Sequence, residues 1–246
     1  MAVLITGGTK GVGLAIARRF AAERAEVFLA YRQDAASAKA AVSEIEERGG
    51  RAVAIQADVG TPQGARRLMD EVAARTDRLD LMVHGAVKVL VGPLLDLDAN
   101  ELAAAITLNG TSLVFLTQAA LPLLKRGGSI VFLSSRGSRQ NVPSYAAIGA
   151  GKALAESLAR YLVPELAPRG IRINCVAPGT LNTEAVRNLF GADTDAFLAS
   201  EAAGNPSGRN VTHDDYVGLV AFLASPEAAM IQGQVIFVNG GQYVIA

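Results

Sequence analysis

The chain has 246 residues, half of them hydrophobic, with one cysteine and no tryptophan. Its 23 Lys and Arg balance its 23 Asp and Glu, so the formal net charge is +0. That balance excludes a strongly basic nucleic-acid binder or a chain drawn to anionic membranes, a lone cysteine excludes an intrachain disulfide framework, and the length suits one globular domain.

Short apolar runs alternate with longer helical patterns. A run at 3–6 precedes a helical pattern at 13–24. Runs at 27–31 and 53–57 precede patterns at 36–48 and 63–75. The run at 79–84 leads to a long pattern at 100–124, and the run at 130–134 to one at 145–166. Runs at 171–176 and 235–238 flank a last pattern at 213–224. Several runs are apolar on both faces, as parallel strands covered by helices must be. The alternation predicts a single-domain α/β Rossmann fold over 1–246: a doubly wound, seven-stranded parallel sheet with helices on both faces. Residues 180–210 are the least regular and follow a strand's carboxyl end, which predicts a short helical flap over the active site. Cys175 lies in an apolar run and reads as a buried strand residue of a reducing cytosol. Met1 runs almost directly into an apolar run too short for a signal peptide, and no uninterrupted apolar stretch reaches membrane-spanning length. A cytoplasmic chain with no membrane or nucleic-acid partner and no metal site is therefore expected.

Thr6-Gly7-Gly8-Thr9-Lys10-Gly11-Val12-Gly13 joins the first strand to the first helix. Glycines there let the backbone turn tightly and approach a pyrophosphate, and the helix start offers free N–H groups. Gly7, Thr9, Lys10, Gly11, Val12 and Gly13 are therefore candidate cofactor contacts. An NAD site usually has an acidic residue at the end of the second strand. Here Arg32 lies close to that position and Asp34 comes later. Lys10 and Arg32 are two cations that suit a 2′-phosphate, so NADPH is expected before NADH. Asp58 and Val59 follow the third strand and would sit beside the adenine; Asp58 also suits a turn.

Tyr145 and Lys152 lie seven residues apart in Ser144-Tyr145-Ala146-Ala147-Ile148-Gly149-Ala150-Gly151-Lys152. At about 100° per residue this is roughly 700°, about 20° short of two full turns. On a continuous helix both side chains project from one side, about 10 Å apart along the axis. A tyrosine and a lysine so placed can serve as proton donor and electrostatic tuner. Gly149 and Gly151 cost roughly 1 kcal/mol each against Ala inside a helix. They predict close approach by a cofactor or a neighbouring helix.

These pieces, with Asn109, Ser134-Ser135, Ala177-Pro178-Gly179 and the ending Val238-Asn239-Gly240-Gly241, resemble the short-chain dehydrogenase/reductase family over nearly the whole chain. The resemblance adds Gly85, Ala86, Pro178, Gly179 and Thr183 as cofactor contacts, Lys152 as the holder of the nicotinamide ribose hydroxyls, and Asn109 as an active-site residue. It places Lys152 at the family's lysine, judged by its interval to Pro178-Gly179. The usual tyrosine, four residues before, is replaced by Ile148; thirteen residues before that stands Ser135. The Tyr-x6-Lys spacing, the run 142–153, the tract 176–183 and Ile231-Gln232-Gly233-Gln234 resemble the NADPH-dependent enoyl-acyl-carrier-protein reductases of this superfamily. His84-Gly85-Ala86 stands where the family usually has Asn-Ala-Gly. His84 reads either as a ribose contact or as a hydrogen-bonded structural residue.

The resemblance implies NADPH-dependent reduction of a 2-enoyl thioester on acyl carrier protein or coenzyme A, in fatty-acid or specialised acyl or polyketide synthesis. Tyr145 would stabilise the oxygen where charge builds, with Lys152, Ser135 and Asn109 around it. Two alternatives stay open: a carbonyl reductase or alcohol dehydrogenase, and a non-catalytic cofactor-binding scaffold. The family habit of pairing its long helices implies a homo-oligomer, tetramer or dimer.

Overall fold

A computed structural model describes residues 1–244. Seven strands form the sheet: β1 (Ala2–Thr6), β2 (Glu26–Tyr31), β3 (Arg51–Gln56), β4 (Leu79–His84), β5 (Leu124–Leu133), β6 (Arg172–Pro178) and β7 (Val235–Val238). All pairings are parallel, in the order β3-β2-β1-β4-β5-β6-β7. The strand order changes direction between β1 and β4, and an open α/β sheet binds ligands in the crevice beyond such a switch point.

Strand alternation divides the core into two layers. Val3, Ile5, Val27, Leu29 and Val131 face α1 (Gly11–Ala22), α2 (Ala35–Glu47) and α9 (His213–Ala224), where Ile16, Phe20, Ile45, Tyr216 and Val220 bury against them. Leu4, Phe28, Met82, Ile130 and Phe132 face the other layer. That layer comprises α3 (Pro62–Ala73), α4 (Ala99–Ile106), α5 (Ser112–Ala120) and α6 (Ala146–Leu166). Local chemistry sets the helix starts. The Thr61 hydroxyl accepts from Gly64 N at 3.0 Å ahead of Pro62, and Thr212 and Asp215 form a reciprocal capping box on α9.

One expectation changes. The pattern at 100–124 is not one helix: a π turn at Thr107–Thr111 separates α4 from α5, and β5 already begins at Leu124. The turn carries Asn109-Gly110 against α6, where a Cβ on Gly110 would stand 2.8 Å from Gly151 O. Residues 180–210 hold two helices, α7 (Glu184–Phe190) and α8 (Thr194–Ala203), as a helical flap requires. By length and composition alone, the stretch Ala99–Ala120 could cross a membrane, with a mean hydropathy of 1.3. In this fold it gives Leu108, Leu113 and Leu116 to the core.

Candidate active site

The crevice between β1 and β4 opens into a cleft of about 700 Å³. Gly7, Thr9, Lys10, Gly11, Val12 and Gly13 form one wall, and Arg32, Asp58, Val59, Gly85, Ala86 and Thr183 complete it. Two glycines of the loop serve the chain itself. A Cβ on Gly13 would stand 2.2 Å from Gly7 O, and Gly7 has φ +68° with Ala86 N 3.0 Å from its virtual Cβ. Gly11, at φ +48°, looks across open space to the Thr183 methyl at 3.8 Å. The first turn of α1 has no side-chain cap, so its N–H groups are available to an anion at the cleft. Glycine cradle, uncapped helix start and cavity size together fit a dinucleotide.

The cations divide. Lys10 Nζ pairs with Asp34 at 2.7 Å and Glu184 at 3.2 Å, which raises it above the usual lysine value. Asp34 caps α2 by accepting from Ser37 N at 2.9 Å and Ser37 Oγ at 2.8 Å. Lys10, then Ser37, hold its carboxyl well below the usual range. Asp34 thus caps α2 and also lines the cleft, its carboxylate neutralised there by Lys10. The Arg32 guanidinium bonds only Gln33 Oε1, at 3.5 Å, and has no ion pair among the described residues, while the Arg32 carbonyl accepts from Gln56 Nε2 at 2.9 Å. Asp58 accepts from Gly60 N at 3.0 Å, so it closes a turn as well as lining the cleft.

The catalytic candidates gather where α6 starts. Ser144 adopts φ +59°, and Tyr145 is the N-cap residue of α6 with φ −107° and ψ 8°. Tyr145 therefore stands at the helix start rather than within it, which corrects the continuous-helix geometry read from its spacing. Its ring packs on Gly137, where a Cβ would stand 2.6 Å from Tyr145 Cδ1. Gly149 closes on the same turn, its virtual Cβ 2.5 Å from Gly137 O. Burial pushes the Tyr145 phenol up; the neighbouring Ser135 hydroxyl and the Arg136 guanidinium oppose this. Ser135 Oγ accepts from Gly137 N at 3.2 Å. Ile148, at the family's usual tyrosine position, is 2% exposed.

Lys152 is buried, its Nζ 2.6 Å from Leu133 O and 4.5 Å from the Phe132 ring centroid. Burial lowers it to about 8, against the pull of Cys175 and Glu156. Asn109 is fully buried; its side chain bonds both the N–H and the carbonyl of Lys88 at 2.9 Å. Gly151 admits it: a Cβ there would stand 2.6 Å from Asn109 Cβ. Both helix glycines thus admit close neighbours, Gly149 the Gly137 backbone and Gly151 the Asn109 residue of the π turn. Tyr145 lines a shallow depression of about 380 Å³ beside the turn at 137–142. Tyr145, Ser135, Asn109, Lys152, Pro178 and Gly179 are not among the residues lining the larger cleft. Gly179 bonds Val238 O at 2.8 Å and packs on Asn239.

Three residues escape sequence reading. Glu156, 2% exposed, accepts from Ser134 Oγ at 2.5 Å, Ser138 Oγ at 2.6 Å and Arg139 Nε at 2.7 Å. The available signal is a carboxylate four residues after Lys152, one turn along an alanine-rich face. Arg136 pairs with Glu201 of α8 at 3.0 Å and stacks on the Tyr243 ring. Thr180 and Gln242 also bond Glu201, so the flap, the Ser135 turn and the chain end meet at one carboxylate.

A family model described as enoyl-(acyl carrier protein) reductase matches residues 7–242. The 1-cyclohexenylcarbonyl-CoA reductase of Streptomyces collinus is 35% identical over 243 residues, covering 99% of this chain and 87% of that protein. A 3-oxoacyl-[acyl-carrier-protein] reductase of Synechocystis is 32% identical, covering 97% of this chain and 95% of that protein. A short-chain dehydrogenase of Burkholderia cenocepacia, solved in complex with NADP, superposes with TM-score 0.87 at 35% identity, covering 98% and 96%. The sheet order, the glycine cradle and these matches agree: the chain belongs to the short-chain dehydrogenase/reductase superfamily of oxidoreductases, in the family that the enoyl-(acyl carrier protein) reductase model describes.

Proposed function

We propose that this protein uses NADPH to reduce the carbon–carbon double bond of a 2-enoyl thioester. The observation that carries this reading is the displaced phenol: Tyr145 caps α6, and a buried Ile148 fills the usual tyrosine position. An enolate oxygen lies three bonds from the carbon that receives hydride, whereas a ketone oxygen is bonded directly to it. A donor set back by about one helical turn suits the more distant oxygen. The Streptomyces relative, named for reduction of an enoyl-CoA, supports the same class.

NADPH, when bound, supplies the hydride that reaches the β-carbon. The cradle of Gly7, Thr9, Gly11, Val12 and Gly13 and the α1 start would hold its pyrophosphate. Asp58, Val59, Gly85, Ala86 and Thr183 line its course, with Pro178 and Gly179 at the end of β6. Arg32, with Lys10, would meet the 2′-phosphate; the Asp34 carboxylate in the cleft is already engaged by Lys10 and by the start of α2. The Tyr145 hydroxyl hydrogen-bonds the thioester oxygen as charge develops. Lys152, cationic below its lowered value, favours the ionised side of any tyrosine proton transfer. Ser135 steadies the carbonyl or a water, and Asn109 holds the Lys88 backbone beside them.

The acyl group is apolar on this reading, because Val87, Val89 and Val91 line the cleft and are 43%, 48% and 36% exposed. The thioester carrier is acyl carrier protein or coenzyme A, with the flap at 180–210 selecting the chain, in cytoplasmic fatty-acid or specialised acyl synthesis. A homo-oligomer, tetramer or dimer, is part of this reading, supported by the Ala99–Ala120 stretch, of whose apolar window 39% is buried within one chain. Carbonyl reduction is the second reading, favoured by the Ser135 hydroxyl beside the Tyr145 phenol. A substrate panel separates them. NADPH consumption with enoyl thioesters but not with 3-ketoacyl thioesters or simple ketones supports the first reading; the reverse pattern overturns it. NADPH binding without turnover on any of them indicates a scaffold.

A further inference from the structure

His84 ends β4 with a fully buried side chain and both ring nitrogens engaged. Nδ1 lies 2.7 Å from Thr6 Oγ1, and Nε2 lies 2.7 Å from Ser112 Oγ. The neighbours fix the direction of these bonds. Thr6 Oγ1 accepts from Gly85 N at 3.3 Å and from Ala86 N at 3.2 Å. Gly85 N is shared with Thr6 O at 3.1 Å, so the direction is set from the other end: the Ser112 proton goes to Leu108 O, the Ser112 oxygen accepts from the ring, and Thr6 donates to Nδ1. The ring proton therefore sits on Nε2 and is donated to Ser112 Oγ. The Ser112 hydroxyl in turn donates to Leu108 O at 2.6 Å.

That last carbonyl is one the π turn displaces. The Ser112 N–H reaches back to Thr107 O, five residues away, so it does not serve Leu108 O in the α-helical manner. The serine hydroxyl takes its place. Leu108 directly precedes Asn109, whose side chain clamps Lys88. A single directed chain thus runs from the Gly85-Ala86 amides at the cleft, through Thr6, His84 and Ser112, to the turn that aims Asn109.

We propose that His84 is a positioning residue: a neutral link that fixes the π turn, and through it Asn109, relative to the cofactor-side backbone. This rests on the reductase reading only where turnover is measured.

Histidine-selective ¹⁵N labelling of the whole protein tests the link without turnover. The chain has two histidines, so His84→Leu assigns the His84 signals. The proposal requires a bare Nδ1 and a protonated Nε2 in wild type; an Nδ1–H tautomer overturns it. Kinetics supply the second arm, on whichever substrate of the panel is reduced. Ser112→Ala cuts the chain beyond His84 and leaves Thr6–His84 intact. It should lower kcat about tenfold while NADPH affinity changes less than about threefold. His84→Leu should lower kcat at least as much, and His84→Gln, whose amide can accept and donate at once, should recover most of the loss. Wild-type kcat in folded Ser112→Ala overturns the proposal. So does loss of NADPH affinity in step with kcat. If nothing is reduced, the reductase reading fails while the tautomer still decides the link.

Discussion

Replacing Gly151 by alanine tests how the Asn109 turn is seated against α6. Helix propensity alone favours alanine over glycine by about 1 kcal/mol in a helix interior. The added methyl, however, would stand 2.6 Å from Asn109 Cβ and 3.3 Å from its carbonyl carbon. Asn109 cannot yield cheaply, because its amide is tied at 2.9 Å to both the N–H and the carbonyl of Lys88. Overpacking costs about 1–3 kcal/mol, and breaking a buried hydrogen bond costs about 1–3 kcal/mol more. Gly151→Ala should therefore lose about 1–5 kcal/mol after the propensity gain, and kcat should fall with it. Gly218 of α9 is the internal control. It is exposed and has nothing within 4 Å of its virtual Cβ, so Gly218→Ala should gain about 1 kcal/mol. Urea unfolding followed by circular dichroism, at one protein concentration, gives both values. Equal stabilisation of the two variants would refute the reasoning.

Arg32→Ala should raise the KM for NADPH at least about tenfold and leave that for NADH nearly unchanged, since one charge-assisted hydrogen bond is removed; equal effects on both cofactors would remove Arg32 from 2′-phosphate recognition. Burial lowers Lys152 from 10.5 to about 8, so between those values the unfolded chain holds a proton that the folded chain has released. Stability should therefore rise with pH across that window through this group, and Lys152→Met should lack the rise. On the kinetic side, kcat/KM should fall as pH passes about 8, because the cationic form is lost; a flat profile to pH 10 would contradict the role given to Lys152. Burial pushes the Cys175 thiol up to about 12. A disulfide reagent should leave Cys175 unlabelled in the native protein and react only on unfolding, and rapid native labelling would show the thiol to be accessible.

Much of the fold is legible in the sequence because parallel strands covered on both faces must be apolar throughout. Runs such as those containing Leu4, Phe28, Met82 and Ile130 announce themselves. The π turn does not, because apolar periodicity continues from Leu102 through Leu116 while one extra residue shifts the backbone bonds. The spacing of Tyr145 and Lys152 is visible, but the place of Tyr145 at the cap is not. It depends on the left-handed Ser144, and only the Pro143 ahead of it hints at a helix start. Glu156 stands out as a carboxylate among alanines, yet its partners Ser134, Ser138 and Arg139 lie 17 to 22 residues away. Arg136 is harder still: Glu201 is 65 residues away and Tyr243 is 107. Local pattern carries the sheet and the glycine cradle; contacts made only by folding carry the flap's anchor and the seat of Asn109.

The displaced Tyr145 is the centre of the account, and the fate of a labelled hydride tests it most directly. The protein should be given NADPH deuterated at its transferable position, with an equimolar mixture of a 2-enoyl thioester and the 3-ketoacyl thioester of the same chain length. The account predicts deuterium at the β-carbon of a saturated thioester, with the ketone recovered unchanged. Deuterium on a carbinol carbon, with the double bond left intact, would contradict it.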